Sequence, residues 1–165
     1  MPETDHPAPA FHISQALTPQ DLDEVRGLLR TYAETLGVDL GFQGFEAELA
    51  GLPGTYAPPA GTLLIARDGN GRPEGCVALQ AIAPEGSCEM RRLYVSPEGR
   101  RLGIGGALVD AVMAAARDAG YARMRLEALP GMTAALTLYR TRGFGTIPPY
   151  YETPIAGSIF LECTL

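Results

Sequence analysis

The stretch Leu93-Tyr94-Val95-Ser96-Pro97-Glu98-Gly99-Arg100-Arg101-Leu102-Gly103-Ile104-Gly105-Gly106-Ala107 decides the fold. It joins the end of a strand to the start of a helix. Ser87 to Val95 has strand character. From Gly103 to Ala119 the period changes: Ile104, Ala107, Leu108, Ala111, Val112 and Ala115 repeat at helical spacing and form one apolar face. Gly120 ends that helix. Ala122 to Leu129 returns to a strand, with Met124, Leu126 and Ala128 alternating against Arg123, Arg125 and Glu127. A strand, a helix of about 17 residues and a second strand make one βαβ crossover, so the two strands are expected to be parallel neighbours.

The junction itself carries a chemical signal. A helix N-terminus presents unpaired backbone N–H groups and a partial positive charge. Glycines at 103, 105 and 106 let the chain curl so that several of these groups point into one concavity. Arg100 and Arg101 add full charges at its rim. Such a segment suits a pyrophosphate. Glycines alone fit a tight strand-to-helix turn equally well. The spacing is not that of a P-loop, which needs Gly-Lys-Ser/Thr, nor that of the dinucleotide fingerprint, which needs a third glycine farther on.

Working outward, Thr18-Pro19-Gln20-Asp21 reads as a helix start, and Leu22, Val25, Leu29, Ala33 and Leu36 give that helix an apolar face before Gly37 stops it. Phe11 to Leu17 precedes it as a first strand. Phe45, Leu49 and Leu52 mark a short second helix ended by Pro53-Gly54. Thr62 to Arg67 and Cys76 to Ala83 read as strands around the turn Asp68-Gly69-Asn70-Gly71. Thr133 to Arg142 is a last helix, closed by Gly143. Gly145 to Ile147 and Ser158 to Leu165 are two closing strands around a Pro-rich connection. The expected order is β-α-α-β-β-β-α-β-α-β-β, an α+β (α/β) mixed sheet of about six to seven strands, mainly antiparallel and flanked by about four helices.

Composition bounds what the chain does. Its 165 residues suit one domain, expected over 11–165, preceded by a disordered Pro-rich tail over 1–10. Net charge is −6, which points away from nucleic acid, whose binding needs a basic face, and toward a small cationic or neutral substrate. No apolar run approaches the roughly 20 residues of a membrane helix, and the start lacks a secretory pattern. The expectation is a cytoplasmic protein without a membrane partner. Cys76, Cys88 and Cys163 are widely spaced and read as buried thiols in a reducing compartment. With His6 and His12 in or near the tail, no metal site is expected.

Arg100-Arg101-Leu102-Gly103-Ile104-Gly105 resembles the Arg/Gln-x-x-Gly-x-Gly/Ala signature of the GNAT N-acetyltransferase superfamily. Leu93-Tyr94-Val95-Ser96-Pro97 resembles the end of that family's strand 4. Ala135-Leu136-Thr137-Leu138-Tyr139-Arg140-Thr141-Arg142-Gly143-Phe144 resembles its Ala-x-x-x-Tyr-x-x-x-Gly-Phe helix. The two motifs are separated by one helix and one strand, as in the family, and the resemblance runs from about residue 62 to 147. It implies acetyl-CoA as cosubstrate, an amine acceptor that is a small molecule or a peptide, and often a homodimer. It also implies that backbone groups of Leu93, Tyr94 and Val95 hold the pantetheine arm. The pyrophosphate then maps to Arg100, Arg101, Leu102, Gly103, Ile104, Gly105 and Gly106. In the family strand 4 splays from strand 5 at a bulge and opens a slot for the arm.

By the same resemblance Tyr139 lies near the CoA sulfur, where a phenol can hydrogen-bond or protonate the leaving thiolate. An attacking amine has to lose a proton. Glu89 on strand 4 is the first candidate to take it and Glu127 on strand 5 the second. The alternatives for either are a surface salt bridge, with Arg91, Arg92, Arg123 and Arg125 as partners, or the binding of a cationic substrate; water can relay the proton as well. Met132 stands where many family members carry Asn. That departure keeps open a non-catalytic acyl-CoA-binding module as the alternative to an N-acyltransferase. Phe42, Phe45 and Tyr56, together with Pro148-Pro149-Tyr150-Tyr151, are the candidate walls of an acceptor pocket.

Overall fold

The computed structural model describes residues 10–37, 39–41 and 44–165. Among them the chain forms seven strands: β1 (Phe11–Gln15), β2 (Thr62–Asp68), β3 (Pro73–Ile82), β4 (Ser87–Val95), β5 (Arg123–Ala128), β6 (Gly145–Ile147) and β7 (Ile159–Thr164). The helices are α1 (Pro19–Leu36), α2 (Phe45–Ala50), α3 (Pro97–Arg100), α4 (Ile104–Asp118) and α5 (Thr133–Arg140). His6, Phe42 and most of the expected N-terminal tail lie outside the described residues. No helix among the described residues is long and apolar enough to cross a membrane.

Local chemistry sets most boundaries. Thr18 caps α1 by accepting from the Asp21 amide at 3.1 Å, and the Asp21 carboxylate accepts from the Thr18 amide at 3.1 Å, a reciprocal capping box with Pro19 in the first turn. Gly37 ends the helix in the left-handed region at φ +68. Two boundaries differ from expectation. α2 stops at Ala50, capped by Gly51, and Gly54–Tyr56 forms a separate 3-10 turn. A one-turn helix, α3, fills the loop after β4, with Ser96 accepting from the Gly99 amide at 3.0 Å. Four residues are too few to show an apolar period, although Ser96-Pro97 is a sound start signal.

The sheet order is β1-β2-β3-β4-β5-β7-β6. Only β4 and β5 are parallel, as the crossover through α4 requires. The sheet is covered on both faces. Leu64, Val77, Leu79, Met90, Met124 and Leu161 pack under α4. Leu63, Ile65, Cys76, Ala78 and Tyr94 pack under α1 and α2, with Val25, Leu29 and Leu49. Double coverage explains why β2 and β3 read as continuous apolar runs rather than alternating ones.

Two irregularities of β4 shape the centre of the molecule. Its pairing with β5 lasts for three residue pairs, Ser87 with Arg123, Cys88 with Met124 and Glu89 with Arg125, and then the strands part. On the other side, Cys76 pairs with Tyr94 while Ala78 pairs with Arg91, so β4 holds one extra residue there. Arg92 sits at that bulge with φ +58, and it is the non-glycine residue with a positive φ among the described residues. The extra residue shifts the phase of the strand by one. Glu89 and Arg91 face α1 before it, and Arg92 and Tyr94 face the same side after it.

Candidate active site

The residues expected to hold the cofactor lie where β4 leaves β5. Beyond Glu89 the β5-facing edge of β4 has no strand beside it, and it runs through Leu93, Tyr94 and Val95 into α3 and the start of α4. Gly103 takes φ +77 at the N-cap of α4. The amides of Gly103, Ile104, Gly105 and Gly106 have no protein acceptor among the described residues, whereas Ala107 donates to the Gly103 carbonyl at 3.3 Å. Four free amides therefore converge at one helix start. Arg101 and Leu102 are exposed beside them. Arg101 makes no hydrogen bond or ion pair among the described residues, but Arg100 turns back and donates from Nε to the Val95 carbonyl at 3.2 Å. The two arginines are thus not equivalent.

The glycines also differ. Added to Gly103, a Cβ would meet nothing within 4 Å, so Gly103 is demanded by its backbone angle. At Gly105 it would lie 3.2 Å from Leu138 Cδ1 and 3.7 Å from Val95 Cγ2, so this glycine lets α4 approach α5 and β4. At Gly106 it would lie 2.7 Å from Arg142 Nη2, a guanidinium held by Asp110 at 2.7 Å. Gly105 and Gly106 serve packing as well as the open amide row.

Tyr139 is buried in α5, with its ring 5.8 Å from that of Phe144. Burial pushes its phenol well above the ordinary value, and the nearby Tyr32 phenol adds to the shift. Met132 occupies the N-cap of α5 and makes no side-chain hydrogen bond there. Asn at this position would have offered one.

Tyr32 also lines a cavity of about 50 Å³ on the α1 side of the parting strands, with Glu89, Arg91, Arg92, Glu127 and Tyr151. The structure thus brings the two candidate carboxylates into one place. Glu89 is well supplied with donors: Gln80 Nε2 at 3.1 Å, the Tyr150 hydroxyl at 2.6 Å and Arg91 Nε at 3.5 Å. Glu127 accepts from the Tyr151 hydroxyl through Oε1, while its Oε2 is buried without a partner. Burial first, and then the adjoining carboxylate, pushes both the Tyr150 and Tyr151 phenols above their ordinary value. They stay protonated and act as donors.

The arginines divide differently from the sequence expectation. Arg91 alone of the four approaches a candidate carboxylate. Arg92 forms a two-pronged pair with Glu48, at 2.8 and 3.0 Å, over the Phe45 ring. Arg123 donates to Ser87 Oγ at 2.8 Å and Arg125 to Glu162 at 2.7 Å. Tyr56 is a core residue, whereas Phe45, also largely buried, lines a second cavity of about 500 Å³ with Arg30, Glu34 and Asp39. Tyr151 lines the smaller cavity and the Tyr150 hydroxyl donates to Glu89 beside it, and their tandem in a Pro-rich loop was the available signal. Nothing in the sequence marked the positive φ of Arg92 or its pairing with Glu48.

Residues 26–144 match the acetyltransferase (GNAT) family. An uncharacterised N-acetyltransferase of Schizosaccharomyces pombe is 41% identical over 150 residues, covering 91% of this chain and 92% of that protein. An IAA acetyltransferase of Azospirillum brasilense is 33% identical over 111 residues, covering 66% of this chain and 71% of that one. A GNAT-family acetyltransferase of Staphylococcus aureus Mu50 superposes with a TM-score of 0.79 at 16% identity, over 94% of this chain and 99% of that one, and shares the fold. Motif, sheet topology and relatives agree that the chain belongs to the GNAT acetyltransferase family.

Proposed function

We propose that the protein transfers an acetyl group from acetyl-CoA to a primary amine. The observation that carries this reading is the parting of β4 from β5 after three paired residues, which leads an open strand edge directly into the four free amides at the start of α4. The edge at Leu93, Tyr94 and Val95 suits an arm bearing amides, which can add to a sheet like a strand. The amides from Gly103 to Gly106 suit a pyrophosphate, and exposed Arg101 supplies a charge without a competing partner. Arg100 contributes less, because its Nε is engaged by Val95.

Bound acetyl-CoA supplies an activated thioester whose C–S bond breaks as the amine nitrogen forms the new C–N bond. The protein has two tasks: to steady the sulfur as it takes up the electron pair, and to receive the proton the amine gives up. Tyr139 serves the first. Its raised pKa keeps the phenol protonated beside a thiolate whose conjugate acid lies near about 8.5. It therefore works as a hydrogen-bond donor to the developing charge rather than by complete proton transfer. For the second, the donors around Glu89 occupy its lone pairs, whereas Glu127 keeps one oxygen open. That supports Glu127 over Glu89 as the proton acceptor.

Acetyl-CoA at about one hundred times its Kd is expected to raise the Tm by about 5–10 °C, and thiol release should follow on adding a primary amine. Stabilisation without turnover on any amine would make the protein a CoA-binding module instead. Absence of stabilisation would remove the cofactor site. Tyr139→Phe is expected to retain acetyl-CoA binding and slow turnover about tenfold or more. Unchanged turnover would take Tyr139 out of the mechanism.

A further inference from the structure

Glu127 is only half-buried, yet one of its two carboxylate oxygens is enclosed. Oε2 is buried without any hydrogen-bond partner, and Oε1 is met by a neutral hydroxyl, that of Tyr151. Among the described residues no Lys, Arg or His nitrogen lies within ion-pairing distance of it. The nearby cations are committed elsewhere. Arg92 is held by Glu48 in a two-pronged pair, and Arg91 lies 3.5 Å from Glu89 and 3.8 Å from Glu48. A buried carboxylate oxygen without a donor is unfavourable, so this one is set up for a group that arrives later.

The missing group has to be small, cationic and rich in N–H. The adjoining cavity of about 50 Å³ holds little more than an ammonium and its first carbons. Its walls pair that need with apolar surface from Leu40, Met90 and Leu129 and the ring of Tyr32. Tyr151 is the wall that can yield. It lies in the connection between β6 and β7, is 37% exposed, and is held by edge-on ring contacts with Tyr150 and Phe160 and by its bond to Glu127.

We propose that Glu127 is the anchoring carboxylate for a cationic acceptor, an unbranched primary alkylammonium, and that the Tyr151 hydroxyl is a stand-in for its N–H which the acceptor displaces. This rests on the acyltransferase reading. One N–H of the ammonium takes the orphaned Oε2 and a second replaces the tyrosine on Oε1. Tyr151, released, turns its ring toward the bound cation, a favourable neighbour for it. The same carboxylate then lies beside the nitrogen when it gives up its proton.

The test compares n-butylamine, a cation at neutral pH, with 2,2,2-trifluoroethylamine, an alkyl amine that is neutral there, at saturating acetyl-CoA. The unaltered protein is expected to favour n-butylamine. Glu127→Gln should raise the n-butylamine KM about tenfold to a hundredfold, the loss of a charge-assisted hydrogen bond, and leave the trifluoroethylamine KM and the acetyl-CoA KM unchanged. Tyr151→Phe, which removes the competing hydroxyl and keeps the ring, should lower the n-butylamine KM. A Glu127→Gln protein with a reduced kcat and an unchanged n-butylamine KM overturns the proposal, as do equal KM changes for both amines or turnover of neither. The acetyl-CoA shift in Tm, measured on the same samples, reads the cofactor site separately. If it is present while the amine results fail, the anchor is wrong; if it is absent, the acyltransferase reading itself has failed.

Discussion

Arg92 shows how much one residue can hold. A left-handed backbone costs a non-glycine residue about 1–2 kcal/mol, yet arginine is kept there. The compensation is the two-pronged bond to Glu48 and the Phe45 ring beneath the guanidinium, which tie α2 to the bulge of β4. Both partners are enclosed, with side-chain exposures of 4% and 14%. Glu48→Ala is therefore expected to destabilise the protein by about 3–5 kcal/mol, because it leaves a buried guanidinium without its carboxylate. Urea denaturation measures this, and a loss below about 1 kcal/mol would mean that water already reaches the pair. From the sequence Arg92 looked like one more partner for Glu89. Strict alternation along β4 hides it, since a one-residue bulge moves every later side chain to the opposite face.

The parts of the site are positioned by the way α4 lies on the sheet. Gly75 in β3 is where the two come closest. A Cβ there would meet the Tyr94 carbonyl oxygen at 2.9 Å and side-chain carbons of Ile104 and Leu108 at 3.1 Å. Gly75→Ala pushes α4 outward at the turn whose amides are proposed to hold the pyrophosphate. The expected result is a loss of about 1–3 kcal/mol in stability, together with weaker acetyl-CoA binding in titration calorimetry. Gly69→Ala, in a turn with open space around it, is the control and should change neither. Unaltered affinity in Gly75→Ala would separate cofactor binding from the seating of α4. The helices and most strands were legible from capping residues and apolar period. The splay of β4 from β5 was expected only from the family resemblance and not from spacing, because it depends on β7 pairing β5 along its length while β4 bends away at its bulge.

Over the whole molecule, thiols and phenols are buried in their neutral forms on both faces of the sheet. Burial pushes the Cys76 and Cys88 thiols up to about 12 and raises Cys163 as well. The Tyr56 and Tyr139 phenols are raised for the same reason. A thiol whose pKa is higher when folded binds its proton more tightly in the native state. Its contribution is complete below the unfolded value of about 8.5 and is lost as pH rises toward the folded one. Stability is thus expected to decline from about pH 8.5 upward. The three thiols lie on β3, β4 and β7, so a thiol-specific reagent should react with them together, at the rate of global unfolding. Fast reaction of one of them at neutral pH would reveal a local opening of its strand.

Read alone, the chain determined the order along the chain of its strands and of every α-helix but the one-turn α3, the parallel crossover, the glycine-rich helix start and the two family motifs. These are local patterns, written in spacing, caps and turn residues that neighbours in sequence can satisfy. Tertiary structure decided the order of the last two strands, the bulge at Arg92, and which arginine answers which carboxylate. It also separated Glu89, surrounded by donors, from Glu127, which has one oxygen bare. Those choices depend on which side chains arrive from distant segments to share one enclosed space. Tyr151 and Glu127 are 24 residues apart, and only the folded chain makes the hydroxyl of one a placeholder on the other.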